Sequence, residues 1–354
     1  MHYKFTNKKI SGILSVVPEN CVKFEDEINN YGFSQEKMIN LQKVIGFNER
    51  RIVKGNECTS DLCIFGLEYL IKNNFIDKNE IGAIIYITQT PDHFMPPTSF
   101  IIHGKLGFKD DVLCFDINQG CAGYLYGLLQ AFLLLEQLNN RKVALLVGDT
   151  LSRRAYYKDR NVYPLVGDAA SVTIVENTDD DNEILLNMIT DGSRNDWLII
   201  PAGAFRIPSS EHTRKIKHYP DGNQRSKEHL YMNGPGIFMF TQTDVPRAIK
   251  EMSQFASLPL EKVDYFMFHQ ANRFILEKLA HKLGVPVKKM PNNIVEKYGN
   301  SSSATIPLAI CDNIGDAIVD DSFLIFMSGF GVGLSLGMLI MKVGPLDFCD
   351  ILEM

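Results

Sequence analysis

The sequence predicts an α/β protein whose strands are buried on both faces. Three observations point there. Apolar runs rich in branched residues recur along the chain, longer helical patterns separate them, and 354 residues with 45% hydrophobic content are enough to bury a substantial core. In order, the expected strands are IGAIIYIT (81–88), VLCFDIN (112–118), KVALLVG (142–148), SVTIVE (171–176), DYFMFH (264–269), FLIFMSG (323–329) and GLSLGMLIMKV (333–343). The most apolar segment, Ala131 to Leu135, is bounded by Gln130, Glu136 and Gln137. It is too short to span a membrane and reads as a buried helix.

Composition excludes several classes. A formal net charge of -6 offers no basic face for nonspecific binding to nucleic acid. The first twenty residues lack the hydrophobic core of a signal peptide, so export is not expected. Seven cysteines without a Cys-X-X-Cys pair disfavour a disulfide framework and a structural zinc site, and fit a reducing cytoplasm. The eight histidines show no metal-ligand spacing, so neither a metal nor another cofactor is expected.

The chain carries a weak internal echo. Gly120-Cys121 opens a helix that leads to the strand ending at Gly148, and Gly299-Asn300 opens SSSATIPLAICDNI, which leads to the strand ending at Gly329. The separations are 27 residues from Cys121 to Gly148 and 29 from Asn300 to Gly329, which suggests two copies of one unit, residues 1–178 and 179–354. A twofold arrangement would aim both helix starts at one place. Residues 203–231 interrupt the second unit with a polar stretch broken by proline and glycine, read as a long surface excursion. It carries six Lys or Arg against three acidic residues, which suits a solvated loop or a surface for an anionic partner.

Four stretches carry the chemistry. In FDINQGCAGYLYGLL (115–129), Cys121 sits at the joint of strand and helix, where the helix dipole and unpaired N–H groups favour thiolate. Gly120 and Gly123 leave room for a substrate. The same residue also fits a small buried apolar side chain, and this stretch alone leaves both readings open. MFHQANRFI places His269 at a strand end, KYGNSSSATIP places Asn300 in a turn, and SGFGVGLSLG (328–337) is a glycine-rich turn between strands. Each alone fits a packing or turn role.

In the order Cys, His, Asn, glycine turn, these stretches resemble the thiolase superfamily, most closely the β-ketoacyl-acyl carrier protein synthase III family. GFNERRI (46–52), LLVGDTLSR (145–153), DRNVYPLVGDAA (159–170) and KLGVP (282–286) extend the resemblance over nearly the whole chain. It implies a thiolase-like five-layered αβαβα fold of two duplicated halves, a homodimer, and acyl carrier protein as partner. It also implies that the Cys121 thiolate attacks an acyl thioester and holds the acyl group. A malonyl thioester on acyl carrier protein would then lose carbon dioxide, its enolate held by His269 Nε2–H and the Asn300 amide. The backbone N–H groups of Cys121 and Val332 would form the oxyanion hole.

The resemblance further assigns Met95, Arg160, Gly234 and Gly331 to substrate binding. Arg214, Lys215 and Lys217 of the basic excursion, with Arg273, are expected to dock the acidic carrier protein. Met95 stands where the family has a phenylalanine that lines the acyl pocket across the dimer interface, which implies a different acyl length. The tryptophan and arginine that clamp the adenine of coenzyme A are replaced by Asn40 and Val44, and Pro235 replaces an asparagine. These departures point away from coenzyme A as the donor. Two alternatives share the fold: an acyltransferase or head-to-head condensing enzyme that does not decarboxylate, and a silent dimer partner. Intact Cys121, His269 and Asn300 argue against the last.

Overall fold

The computed structural model describes residues 1–220 and 222–354. Two mixed sheets form the frame. The six-stranded sheet runs in the order Phe348–Glu353, Lys8–Val17, Ala169–Asn177, Lys142–Asp149, Ile81–Ile87, Leu113–Ile117. The five-stranded sheet runs His2–Phe5, Ile184–Thr190, Ser335–Val343, Phe323–Gly331, Tyr265–Phe268. Helices Gly123–Leu135 and Thr305–Ile318 lie between the sheets and pack on both. Helices Thr59–Lys72 and Thr98–Leu106 cover the outer face of the first sheet, and Gly234–Phe255 covers the second with Arg273–Leu283 packed beside it. The layers are therefore α, β, α, β, α.

The middle layer follows from composition. Gly123–Leu135 is apolar on nearly every side, as a helix buried between two sheets must be. Its Gly127 meets the Leu145 side chain where a larger residue would collide. Ile81–Ile87 is buried at every position, which is why it reads as a continuous apolar run rather than an alternation.

The expected strands all form, with ends shifted by a few residues, and His269 falls just past its strand, Tyr265–Phe268. Two long strands were missed because buried polar residues break their apolar runs. In Lys8–Val17, the Ser11 hydroxyl donates to the Ile174 carbonyl at 3.5 Å and that of Ser15 to Ser171 Oγ at 3.4 Å. In Ile184–Thr190, the Asn187 amide donates to the His2 ring at 2.9 Å.

The excursion at 203–231 is more than a solvated loop. It holds a helical turn at Glu211–Arg214 and a small ladder between Lys217–His218 and Gln224–Arg225. Thr213, Asn223, Arg225 and Ser226 are buried in it. Arg225 does not belong to a basic surface. Its guanidinium pairs with the buried Asp159 carboxylate at 3.2 Å and lies over the rings of Tyr219 and Tyr231.

Candidate active site

The ends of five strands converge on one place. Cys121 follows Leu113–Ile117, Asp149 ends Lys142–Asp149, His269 follows Tyr265–Phe268, Gly331 ends Phe323–Gly331, and the Asn300 backbone bridges to Val166, just ahead of Ala169–Asn177. All but the last are carboxyl ends, where open α/β sheets present their chemistry.

Cys121 precedes the helix rather than opening it: the helix starts at Gly123, with Ala122 as its cap. The thiol is 9% exposed. Burial pushes it up to about 11, opposed by backbone N–H groups of Val332 and of Cys121 itself that face the sulfur. Desolvation therefore outweighs the N–H groups that favour thiolate, and the group rests as a thiol. The same two N–H groups are the ones the sequence assigned to the oxyanion hole. A Cβ on Gly331 would lie 2.7 Å from Cys121 Sγ, and one on Gly329 2.7 Å from the Cys121 carbonyl. Only glycine lets this turn pass so close to the nucleophile.

His269 is 2% exposed, and burial pushes its ring down to about 4, so it is neutral near pH 7. Its backbone N–H donates to the Ser328 carbonyl at 2.8 Å, and the Phe330 ring meets the imidazole edge to face. Nδ1 lies 2.7 Å from Thr305 Oγ1, which is also 2.9 Å from the Ser302 carbonyl. The hydroxyl has one hydrogen to give. Donated to Nδ1, it leaves Nε2–H as a donor; donated to Ser302, it leaves Nδ1–H and a bare Nε2.

Asn300 is held by backbone bonds to both sides of Val166: its N–H donates to the Leu165 carbonyl at 2.7 Å, and its own carbonyl accepts from Gly167 N–H at 3.1 Å. A Cβ on Gly167 would strike the Tyr298 carbonyl, and Gly299 adopts φ +81° against Gly167, so both crossing residues must be glycine. Asn300 Oδ1 accepts from Ser302 N–H at 2.9 Å, which turns the amide nitrogen outward as a donor.

Ser302 joins the set. It is buried, left-handed at φ 58°, bonded to Asn300, faces the His269 ring through its carbonyl, and presents its hydroxyl to both Cys121 and Asp149. Asp149 is fully buried, and its Oδ1 accepts from Gln89 N–H at 2.7 Å and from the hydroxyls of Thr88 and Thr90. Sequence reasoning quoted the stretches holding Asp149, Ser302 and Thr305 without giving these residues a role. The only sequence signal was a carboxylate directly after a strand glycine and a run of three serines beside Asn300.

The remaining expected residues lie apart from this cluster. Met95 is 78% exposed, and the neighbouring Phe94 ring meets Phe205 of the excursion at 5.5 Å. Arg160 stacks on the Phe33 ring at 4.0 Å and donates to Asn223 Oδ1 at 3.2 Å, so an aromatic ring that the sequence reading missed stands beside this arginine. Gly234 begins Gly234–Phe255 with open space around it. Arg214, Lys215 and Lys217 are exposed, but Arg273 is engaged with Glu296 at 3.2 Å and the Lys43 carbonyl at 2.7 Å. Among the described residues, no group of three His, Cys, Asp or Glu is placed to hold a metal, and no helix is long and apolar enough to cross a membrane.

Two sheets enclosing paired helices, with a cysteine, a histidine and an asparagine gathered under a glycine turn, define a thiolase-fold condensing enzyme. The family described as 3-oxoacyl-[acyl-carrier-protein (ACP)] synthase III matches residues 115–192, and its C-terminal counterpart residues 254–343. A Campylobacter jejuni protein provisionally named 3-oxoacyl-[acyl-carrier-protein] synthase 3 is 36% identical over 99% of this chain and 98% of its own. A β-ketoacyl-[acyl-carrier-protein] synthase III of Clostridium perfringens is 32% identical over 95% of this chain and 99% of its own. The crystal structure of a 3-oxoacyl-(acyl-carrier protein) synthase from Burkholderia xenovorans LB400 superposes with a TM-score of 0.92 at 32% identity, covering 100% of this chain and 99% of that one. The chain belongs to the 3-oxoacyl-[acyl-carrier-protein] synthase III family, whose members are acyltransferases.

Proposed function

We propose that Cys121 takes an acyl group from a thioester and that the acyl-enzyme condenses with malonyl-acyl carrier protein after its decarboxylation. The observation that carries this reading is the convergence of Cys121, His269 and Asn300 on Ser302 beneath the 329–333 turn. Loss of carbon dioxide leaves an enolate oxygen that needs neutral donors. A buried imidazole that stays uncharged to about pH 4 and an amide whose oxygen is already bonded both suit it. The enolate requires Nε2–H, the tautomer in which Thr305 donates to Nδ1. Carbon attack on the acyl-cysteine then builds an oxyanion between the N–H groups of Cys121 and Val332. No cofactor enters these steps.

An acyl carrier protein thioester, or a donor longer than acetyl, loads Cys121 more efficiently than acetyl-coenzyme A. Asn40 has no ring to stack on an adenine, Val44 has no charge to pair with a phosphate, and the Arg160 guanidinium already covers the Phe33 ring. Arg214, Lys215 and Lys217 form an exposed basic cluster for an acidic carrier, whereas Arg273 contributes only if it leaves Glu296. The enzyme works as a homodimer: Leu113–Ile117 is an edge strand, and Phe94, Met95, Phe100 and Leu113 are exposed near it. Its free cysteines suit the cytoplasm.

Intact-protein mass spectrometry with carrier-protein and coenzyme A donors tests the assignment. Cys121 alone should load. His269→Ala and Asn300→Ala should retain loading while release of carbon dioxide from malonyl-acyl carrier protein collapses. Loading that survives Cys121→Ser, or loss of loading in both other variants, overturns it.

A further inference from the structure

The cysteine reading leaves one proton without a destination. Cys121 rests as a thiol, and neither His269 nor Asn300 has been given its hydrogen. We propose that Asp149 accepts this proton through the Ser302 hydroxyl during acyl loading. The proposal rests on Cys121 being the nucleophile.

Geometry singles out Asp149. All three of its well-formed hydrogen bonds, from Gln89, Thr88 and Thr90, end on Oδ1, which fully accounts for a structural role in holding the 88–90 turn. Oδ2 is buried and has no hydrogen-bond partner, and the same is true of Ser302 Oγ. A buried carboxylate oxygen without a donor is costly unless it serves a purpose. Ser302 stands between the two groups: its side chain acts on Asp149 on one side and on the Cys121 sulfur on the other. A small rotation of one hydroxyl completes a chain from sulfur to carboxylate. The backbone supports this placement, because Ser302 sits at φ 58°, a conformation that non-glycine residues adopt uncommonly.

The step balances. As the Cys121 sulfur bonds to the acyl carbon, its S–H bond breaks and the proton passes to Ser302 Oγ, whose own proton passes to Asp149 Oδ2. When the intermediate collapses, the bond from the acyl carbon to the donor sulfur breaks. Ser302 Oγ gives a proton to the departing thiolate and takes one back from Asp149 Oδ2, which returns to carboxylate.

Asp149 suits this exchange. Burial raises its carboxyl to about 6 against the pull of its donors, so it is ionised at pH 7 yet more basic than an exposed aspartate. The other titratable groups around it stay neutral across this range. Cys121 is a thiol, the Tyr86 phenol is held far above its usual value by burial and bonded to Thr59, and His269, beyond the Ser302 carbonyl, is an uncharged imidazole.

The test is rapid-quench mass spectrometry of the full chain with a short-chain acyl thioester of N-acetylcysteamine, a probe that needs no carrier recognition, from pH 5 to 10. Wild-type loading should rise through an inflection near pH 6 and then level off. In Asp149→Asn, which keeps an acceptor at Oδ1, the inflection should vanish and loading at pH 7 should fall by about a hundredfold or more, climbing only as the thiol itself ionises. Ser302→Gly should behave alike. Glycine accepts the left-handed backbone, so this variant decides the matter if Asp149→Asn does not fold. A folded variant that keeps the wild-type inflection overturns the relay alone. A wild type that never carries acyl on Cys121 overturns the nucleophile and the relay together.

Discussion

At the scale of single residues, a methyl group at position 331 is expected to separate folding from catalysis. Its carbon would lie 2.7 Å from Cys121 Sγ and 2.8 Å from Cys121 Cβ, so Gly331→Ala must displace the nucleophile or the turn. A shift of about 1 Å at a reacting atom costs roughly a hundredfold in rate. Mass spectrometry should record that loss of loading while the thermal melt stays cooperative. Thr305→Val should act on the other half reaction. Without the hydroxyl, Nδ1 loses the donor that fixes the Nε2–H tautomer, so Nε2 is no longer held as a donor. Decarboxylation should fall by the value of a hydrogen bond to a charged group, about 1.5–3 kcal/mol, with loading intact. Cys121, His269 and Asn300 were legible in the sequence because each follows a strand or glycine turn in a short recognisable stretch. The thiol's state was not, since a helix-start argument contains no burial. Asp149 and Thr305 were hidden for the same reason: LLVGDT and SSSATIP show residue types, while their meaning comes from partners more than thirty positions away.

At the scale of elements, the short strand Glu49–Arg51 shows how the GFNERRI stretch serves the site without touching it. The Arg50 guanidinium, 4% exposed, pairs with both carboxylate oxygens of Glu27 at 2.7 and 2.8 Å, stacks on Tyr163 and donates to the Val166 carbonyl at 3.1 Å. Val166 bridges Asn300. Arg50→Ala leaves a largely buried carboxylate unpaired and should cost about 3–5 kcal/mol in urea unfolding. Below the melting range, it should weaken decarboxylation more than loading, because it loosens the loop that carries Asn300. Continuous apolar runs made the central strands easy to read. Lys8–Val17 escaped because Ser11 and Ser15 look like surface residues until their cross-strand partners are known. The excursion misled in the opposite direction, its Arg225 counted as surface charge while Asp159 and two tyrosines bury it.

At the scale of the molecule, the chain ends cross. His2–Phe5 joins the five-stranded sheet beside Ile184–Thr190, and Phe348–Glu353 joins the six-stranded sheet in parallel with Lys8–Val17. Removing residues 348–354 strips that partner and the Phe348 ring that covers Gly12. Size-exclusion chromatography should then show aggregation in place of a single folded species. Nothing local in the sequence announces a pairing between residues more than three hundred positions apart. This crossing also orders assembly. One edge of Lys8–Val17 stays bare until a segment more than three hundred positions further along the chain has folded onto it. A strand that waits this long for one neighbour is the one other copies of the chain can pair with before folding is complete, so refolding yield should fall as protein concentration rises.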